Sequence, residues 1–250
     1  MVRYLLAILL ALSMVKEGIA APPKAYSGAP IKGRIVDGAT GEPISGAVVV
    51  AAWIISPTFH ESLHGPTKFK LIHLVETMSD DSGNYVIPAW GPIERPAWWE
   101  KYRSDDPAMS VFKPGFEPVF PLNVTYQTKE QTGPPFNSRE VAVLRSAYDG
   151  KDIALFRYGR GYKDWQLRDP GPNSVQLTPE SFSAGLLENY ASSLARNADR
   201  ADYDAIQSRS PARMNAMRLQ RRAVLLVDEE LRKFGKSYHW RTGIDFLRAE

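Results

Sequence analysis

The sequence predicts a mainly β protein: a β-sandwich with long loops, followed by an α-helical C-terminal extension. Two observations carry this expectation. Short β-branched runs separated by Gly, Asp and Pro turns recur from residue 31 to 120 with no helical period between them. Beyond residue 178 the pattern changes to helix start signals followed by apolar residues at helical spacing.

Taken in chain order, residues 1–20 read as a secretory signal peptide. Arg3 supplies the positive start, residues 4–15 an apolar stretch, and Gly18-Ile19-Ala20 small residues at the −3 and −1 positions of a cleavage site. The apolar stretch is shorter than the ~20 residues a membrane-spanning helix needs. The expectation is cleavage after Ala20, a periplasmic or secreted mature protein, and no membrane span once the signal is removed. Residues 21–28 read as a linker.

Within 29–157, residues 32–36 alternate polar and apolar side chains. Asp37 to Pro43 is turn chemistry, with Gly38 and Gly41 available for positive φ. Residues 47–55 are nearly all apolar, as a strand buried on both faces would be. Residues 71–77 read as a further strand, Asp80-Asp81-Ser82-Gly83 as a tight turn, and Tyr85-Val86-Ile87 as extended chain up to Pro88. Residues 108–113 and 117–120 read as strands on either side of Pro114-Gly115. Residues 140–144 and 152–156 flank Asp149-Gly150, a spacing that suggests a hairpin.

A linker at 158–177 leads to the helical extension, 178–250. Thr178-Pro179-Glu180 combines an N-cap, a first-turn proline and an acid at the positive helix end, and predicts a helix to about Asn197. Ser210-Pro211 repeats the start signal and Gly235 supplies the stop. Met217, Val224, Val227, Leu231 and Phe234 share one face of that second helix, with Arg218, Arg221, Arg222 and Glu229 opposite. The apolar arc must pack on something, and Leu186, Leu187, Tyr190 and Leu194 of the first helix offer a matching surface.

Gly33-Arg34-Ile35-Val36-Asp37 with Thr40-Gly41-Glu42-Pro43-Ile44-Ser45-Gly46-Ala47-Val48-Val49-Val50 resembles the opening of the carboxypeptidase regulatory-like domain. Ser79-Asp80-Asp81-Ser82-Gly83-Asn84-Tyr85 resembles that family's second signature, and Lys113-Pro114-Gly115-Phe116 its third. The resemblance covers residues 29–120 and implies a prealbumin-like (transthyretin-like) Greek-key β-sandwich used as an accessory module. In that family the sandwich is appended to a separate catalytic domain, for which nothing in this chain fits. The signatures read as structural: Gly41 and Gly46 would bound a hairpin, and Gly83 would take a left-handed position with Tyr85 facing the core. The chain departs from the minimal domain by inserting 56–69 and a Pro/Trp-rich loop at 89–107.

Three constellations could carry chemistry. His60-Glu61-Ser62-Leu63-His64 matches the H-E-x-x-H of zinc hydrolases, in which two histidines on one helix face hold the metal and the glutamate polarises a water. Pro57 and Gly65-Pro66 leave barely two turns for such a helix, so the favoured reading is an exposed loop, with His60 and His64 the metal ligands if there are any. His73-Leu74-Val75-Glu76 matches H-x-x-E, but on a strand a separation of three puts the two side chains on opposite faces. Trp90, Trp98, Trp99 and Tyr102 lie on a proline-stiffened loop that could stack sugar rings or grip a protein. The favoured alternative is that these rings fold back and cover one end of the sandwich.

A net charge of +3, or +2 without the signal peptide, supports no nucleic-acid or anionic-membrane role. Arg209, Arg213, Arg218, Arg221 and Arg222 read as a solvated helix face, with Asp228, Glu229 and Glu230 pairing to Arg232 and Lys233. The absence of cysteine excludes disulfides, thiolate catalysis and Cys-ligated zinc. The expected function is therefore a non-catalytic interaction or scaffold module of the cell envelope, without cofactor, whose partner is a protein or an envelope polysaccharide. The alternatives are a carbohydrate-binding module using loop 90–102, and a zinc hydrolase using His60, Glu61 and His64.

Overall fold

The computed structural model describes residues 24–56, 69–95, 101–102, 107–120, 141–146, 148–160, 179–201, 210–240 and 244–249. These hold β1 (Ala25–Gly28), β2 (Ile31–Asp37), β3 (Val48–Ser56), β4 (Lys70–Met78) and β5 (Asn84–Ile87). Then follow β6 (Trp90–Glu94), β7 (Lys101–Tyr102), β8 (Ala108–Phe112), β9 (Val141–Leu144) and β10 (Lys151–Leu155). The helices are α1 (Pro179–Ala201), α2 (Pro211–Leu219), α3 (Arg221–Lys233) and α4 (Asp245–Ala249). Among the described residues strand exceeds helix, 37% against 32%, which makes the protein mainly β.

Two of the three sheets are halves of one creased surface. In one, β1 lies between β6 and β9; in the other, β2 lies between β5 and β10. The pairs Gly28↔Trp90 and Ile31↔Ile87 belong to a single antiparallel register that passes straight through the break. Pro30 and Pro88 sit at that break, one on each strand, and neither has an N–H to continue the ladder. The amide of Ala29 donates to the Leu144 carbonyl at 2.8 Å and holds the crease closed. Ala25–Gly28, within the stretch read as a linker, is thus an ordered strand with Tyr26 fully buried.

The expected hairpin at Asp149-Gly150 does not form. β9 runs parallel to β1, and β10 parallel to β2. The turn between them is a jog at the crease. The Lys32 amide donates to Asp149 Oδ1 (2.9 Å) and the Gly150 amide to the Lys32 carbonyl (2.7 Å), so β2 captures the turn that would otherwise have folded the strand back.

The remaining sheet is built on β3, which pairs antiparallel with β4, β8 and β7. Gly41 and Gly46 do adopt positive φ, but β2 and β3 are not a hairpin. After a single bridge between Val36 and Pro43, the chain crosses from one sheet to the other. Ser79 fastens the crossing: its hydroxyl donates to the Ile44 carbonyl (2.7 Å) and accepts from the Ala47 amide (2.9 Å). In place of a strand at 117–120 there is one bridge, Val111↔Val119.

β3 is buried on both faces, as its uninterrupted apolar sequence anticipates. Val49, Ala51, Trp53 and Ile55 face a core shared with the creased sheet, against Tyr26, Ile35, Tyr85 and Ile87. Val48, Val50 and Ala52, with Leu74 and Phe112, face a second core closed by the helices. That core takes Leu187, Tyr190 and Leu194 from α1, Met217 from α2, and Val224, Val227 and Leu231 from α3, all fully buried. The apolar arc anticipated at 217–234 is therefore docked on its own chain, against α1 and the back of β3 together.

One continuous second helix is not what forms. It breaks at Gln220 (φ −122°, ψ 32°), a fully buried residue whose amide donates to the Leu194 carbonyl at 2.7 Å and accepts from Asn197. Two buried side-chain hydrogen bonds to α1 outweigh the local preference of Leu-Gln-Arg for helix. The predicted ends hold. The Ser210 hydroxyl accepts from the Arg213 amide, and Gly235 at φ 67° closes a Schellman motif through Gly235 N to Arg232 O and Lys236 N to Leu231 O. The arginine face needs correction. Arg213 is buried and pairs with Asp199. Asp228 and Glu230 do pair with Arg232 and Lys233, but both carboxylates are buried.

Candidate functional site

β3 positions the end of the protein where the two insertions leave the sheets. Its last residues pair with the first of β4 (Ile55↔Lys70) and with β7 (Ile55↔Tyr102, Ser56↔Lys101). The roots of segment 57–68 and of the segment entering β7 therefore stand side by side at the end of β3, where Trp53 and Ile55 are buried in the core. His60, Glu61, His64, Trp98 and Trp99 lie outside the described residues, and Tyr102 is described by its backbone pairing alone.

Trp90 opens β6 and is 8% exposed. Its indole stacks on the His73 imidazole (centroids 4.7 Å apart, 23° between planes) and meets Trp53 edge-on at 5.2 Å. Gly28, its cross-strand partner, has no room for a Cβ because the indole nitrogen lies over it. Trp90 thus packs as a core residue that ties the creased sheet to the sheet of β3 and β4.

His73, brought to the core side by the alternation that runs back from Glu76, stands beside an irregularity in β4. Pairing shifts between Trp53↔His73 and Ile54↔Leu71, so Ile72 is the extra residue of a β-bulge. Ile72 and His73 both turn toward the inter-sheet core, while Leu71 and Leu74 turn to the helices. Burial holds the His73 pKa below the usual 6.5, so the ring is neutral at pH 7. Sequence reasoning weighed His73 only as half of a metal pair; the Val/Ile-rich strand around it was the signal that it is a packing residue.

Glu76 faces the helices, on the side of β4 opposite His73, as strand alternation requires. Its carboxylate accepts from the backbone amides of Arg222 (3.2 Å) and Ala223 (2.8 Å), the first turn of α3. Gln220 places no side-chain cap there, so β4 supplies the cap from another layer. Burial nevertheless raises the Glu76 pKa, with the two amides and Arg222 opposing it. The two residues thus do separate structural work.

The signature residues likewise resolve into architecture. Gly83, at φ 77°, ends a turn in which Asp80 Oδ1 accepts from the Ser82 and Asn84 amides. Gly33 leaves space for Tyr85, whose hydroxyl would lie 2.6 Å from a Cβ there; burial pushes the Tyr85 pKa up to about 12. The Lys113–Phe116 turn is held by α3, since Glu230 accepts from the Gly115 amide (3.3 Å) and the Tyr158 hydroxyl (3.1 Å). Burial and Glu230 both raise the Tyr158 pKa, keeping that phenol a donor.

On the outer face of the creased sheet lies a shallow groove of about 450 Å³ lined by Lys32, Arg34, Asn84, Val86 and Asp152 among others. Arg34 and Asp152 pair across it at 2.7 Å, both well exposed. Strand alternation in 32–36 was its signal in the sequence, though no motif marked it. Among the described residues, no group of three or more His, Asp or Glu could hold a metal ion, and no helix is long and apolar enough to cross a membrane. No protein-family model, no curated protein and no solved structure matches this chain.

Proposed function

We propose that this protein is an exported, non-catalytic interaction or scaffold module of the cell envelope, with a carboxypeptidase regulatory-like, prealbumin-like Greek-key sandwich at its centre. The observation that carries the reading is the juxtaposition of the two insertion roots at the end of β3, a strand whose residues 48–53 and 55 are buried. Binding loops on a rigid sheet are the common way such a scaffold acquires function. The strand orders, with β1/β2 between β5/β6 and β9/β10 and facing β4-β3-β8, are compatible with a two-sheet Greek key. Positive φ at Gly41, Gly46, Gly83 and Gly115 suits turn signatures rather than chemistry.

The partner is an envelope protein or polysaccharide, met by the loops that carry Trp98, Trp99 and Tyr102. The discriminating experiment replaces those three residues with alanine and measures binding to envelope glycans and to envelope extracts. Loss of glycan binding with the fold intact selects the carbohydrate-binding reading; loss of a protein partner selects the scaffold reading. Stoichiometric zinc in purified protein, removed together with a hydrolase activity by His60→Ala and His64→Ala, would overturn both. N-terminal sequencing of exported material should find Ala21 first.

A further inference from the structure

We propose that the groove on the outer face of the creased sheet is a subsite for a sugar that carries a carboxylate, an acidic unit of an envelope polysaccharide. The site is separate from the loops at the end of β3. It takes from the reading above only that envelope glycans are within reach.

Strand register builds the site. Arg34 on β2 is level with Asn84 on β5 and with Asp152 on β10, so three polar side chains stand in a row across the strands. Two residues along β2, at a spacing of about 6.6 Å, Lys32 is level with Val86, and the Gly150 amide bonds to the Lys32 carbonyl. Gly150 lines the groove with bare backbone, and a Cβ built there would meet nothing within 4 Å. The groove is thus about one pyranose ring long, notched at Gly150, with a cation at one end and a row of donors and an acceptor at the other.

The chemistry left unsatisfied selects the ligand. Arg34 and Asp152 neutralise each other at 2.7 Å, with both side chains half exposed. On the rim the charges of Lys151 and Asp149 balance. Lys32 is left over: its ammonium has no partner among the described residues, and neither has the side-chain amide of Asn84. The groove therefore holds one surplus positive charge, next to Val86, which is 49% exposed. A uronic acid matches each of these groups. Its carboxylate pairs with Lys32. Its hydroxyls, each both donor and acceptor, meet the row of Asp152, Arg34 and Asn84, which offers both. Its C–H face lies on Val86. A neutral sugar leaves Lys32 unused, and an acidic peptide brings no array of hydroxyls for the row.

The test titrates the purified protein with a trimer of glucuronic acid, with cellotriose as the neutral counterpart and with triglutamate as the acidic peptide, following backbone amides by NMR. The expected result is that the uronate trimer shifts the amides of 32–34, 84–86 and 150–152. Its Kd should be about millimolar, as suits a shallow site, and should rise with salt. Cellotriose should act on the same amides about two- to fivefold more weakly, the worth of one exposed ion pair, and Lys32→Gln should abolish that preference. Uronate shifts absent from these three stretches would overturn the proposal, as would an equal response to triglutamate or a uronate preference that survives Lys32→Gln. The first two readings come from the parent protein, so they stand whatever the variant does. The readout is confined to β2, β5 and the turn into β10, so its failure leaves the loop reading standing, and failure of the loops leaves this one.

Discussion

Val224→Asp tests whether the helices are a layer of the core or an appendage. Val224 is fully buried between α1 and the back of β3, and its own amide bonds to the Gln220 carbonyl. Removing the side chain from its core forfeits about 1.5–3 kcal/mol. Placing a carboxylate there without a partner adds several kcal/mol more, even after relaxation and water entry. Together they cost at least about 4 kcal/mol, roughly a thousandfold or more in the folding equilibrium and a large part of the stability of an ordinary domain. Since β3 lines both cores, the loss should reach the sheets. The assay is urea unfolding read by helix dichroism, alongside hydrogen exchange of the β3 amides at 48–52 and limited proteolysis beyond residue 178. We expect one shared transition in the parent, moved to lower urea in the variant, with faster exchange in β3 and faster cleavage of the helices. Helices that melt alone while β3 keeps parental protection would refute the reasoning and make 179–249 a separable attachment.

Further substitutions isolate single contacts. Glu76→Ala should cost about 0.5–2 kcal/mol at pH 7, the usual worth of a helix cap, read as a lower urea midpoint. The raised Glu76 pKa means that the folded protein holds this proton to higher pH than the unfolded chain does. The residue's contribution is therefore most favourable below pH 4.5, falls as pH rises through the folded pKa, and that slope should vanish in the variant. Gly83→Ala should lose more stability than Gly150→Ala. Both positions have positive φ, worth about 1–2 kcal/mol to an L residue, but only at Gly83 does a Cβ meet backbone, 2.6 Å from the Ile35 carbonyl. Gln220→Leu should cost about 1–3 kcal/mol by stranding Asn197 and removing the bond to Leu194; equal midpoints for variant and parent would show that the helix break has another cause.

Local chemistry was legible in the sequence wherever one residue's own properties decide the outcome. Glycine reads directly as positive φ at 41, 46, 83 and 235, because other residues are strained there. Ser210-Pro211 reads as a helix start, and β3 as a strand covered on both sides, because nothing polar interrupts it. Alternation alone separated His73 from Glu76, and so disposed of a metal pair. The sequence sets only a preference for the rings of 90–102 to fold inward, and for Trp90 the fold decides it through the stack with His73 and Trp53.

Pairing partners and the state of buried polar groups belonged to the tertiary structure. Asp149-Gly150 has the composition of a hairpin turn, but a turn's composition cannot say whether the next strand finds its predecessor or a more distant edge. Here β1 and β2 offered that edge, and two hydrogen bonds from Lys32 and Gly150 held the chain to it. Gln220 has an ordinary propensity for helix and breaks one because its amide is satisfied only by α1, twenty-six residues earlier. Asp228 and Glu230 look like surface charges in a line of letters, yet they are interior because Arg232, Arg248, Trp240, Lys233 and Tyr158 converge on them. A buried polar side chain is tolerated only when its partners arrive, and those partners lie far apart in the chain, so the fold itself decides where such a residue can sit.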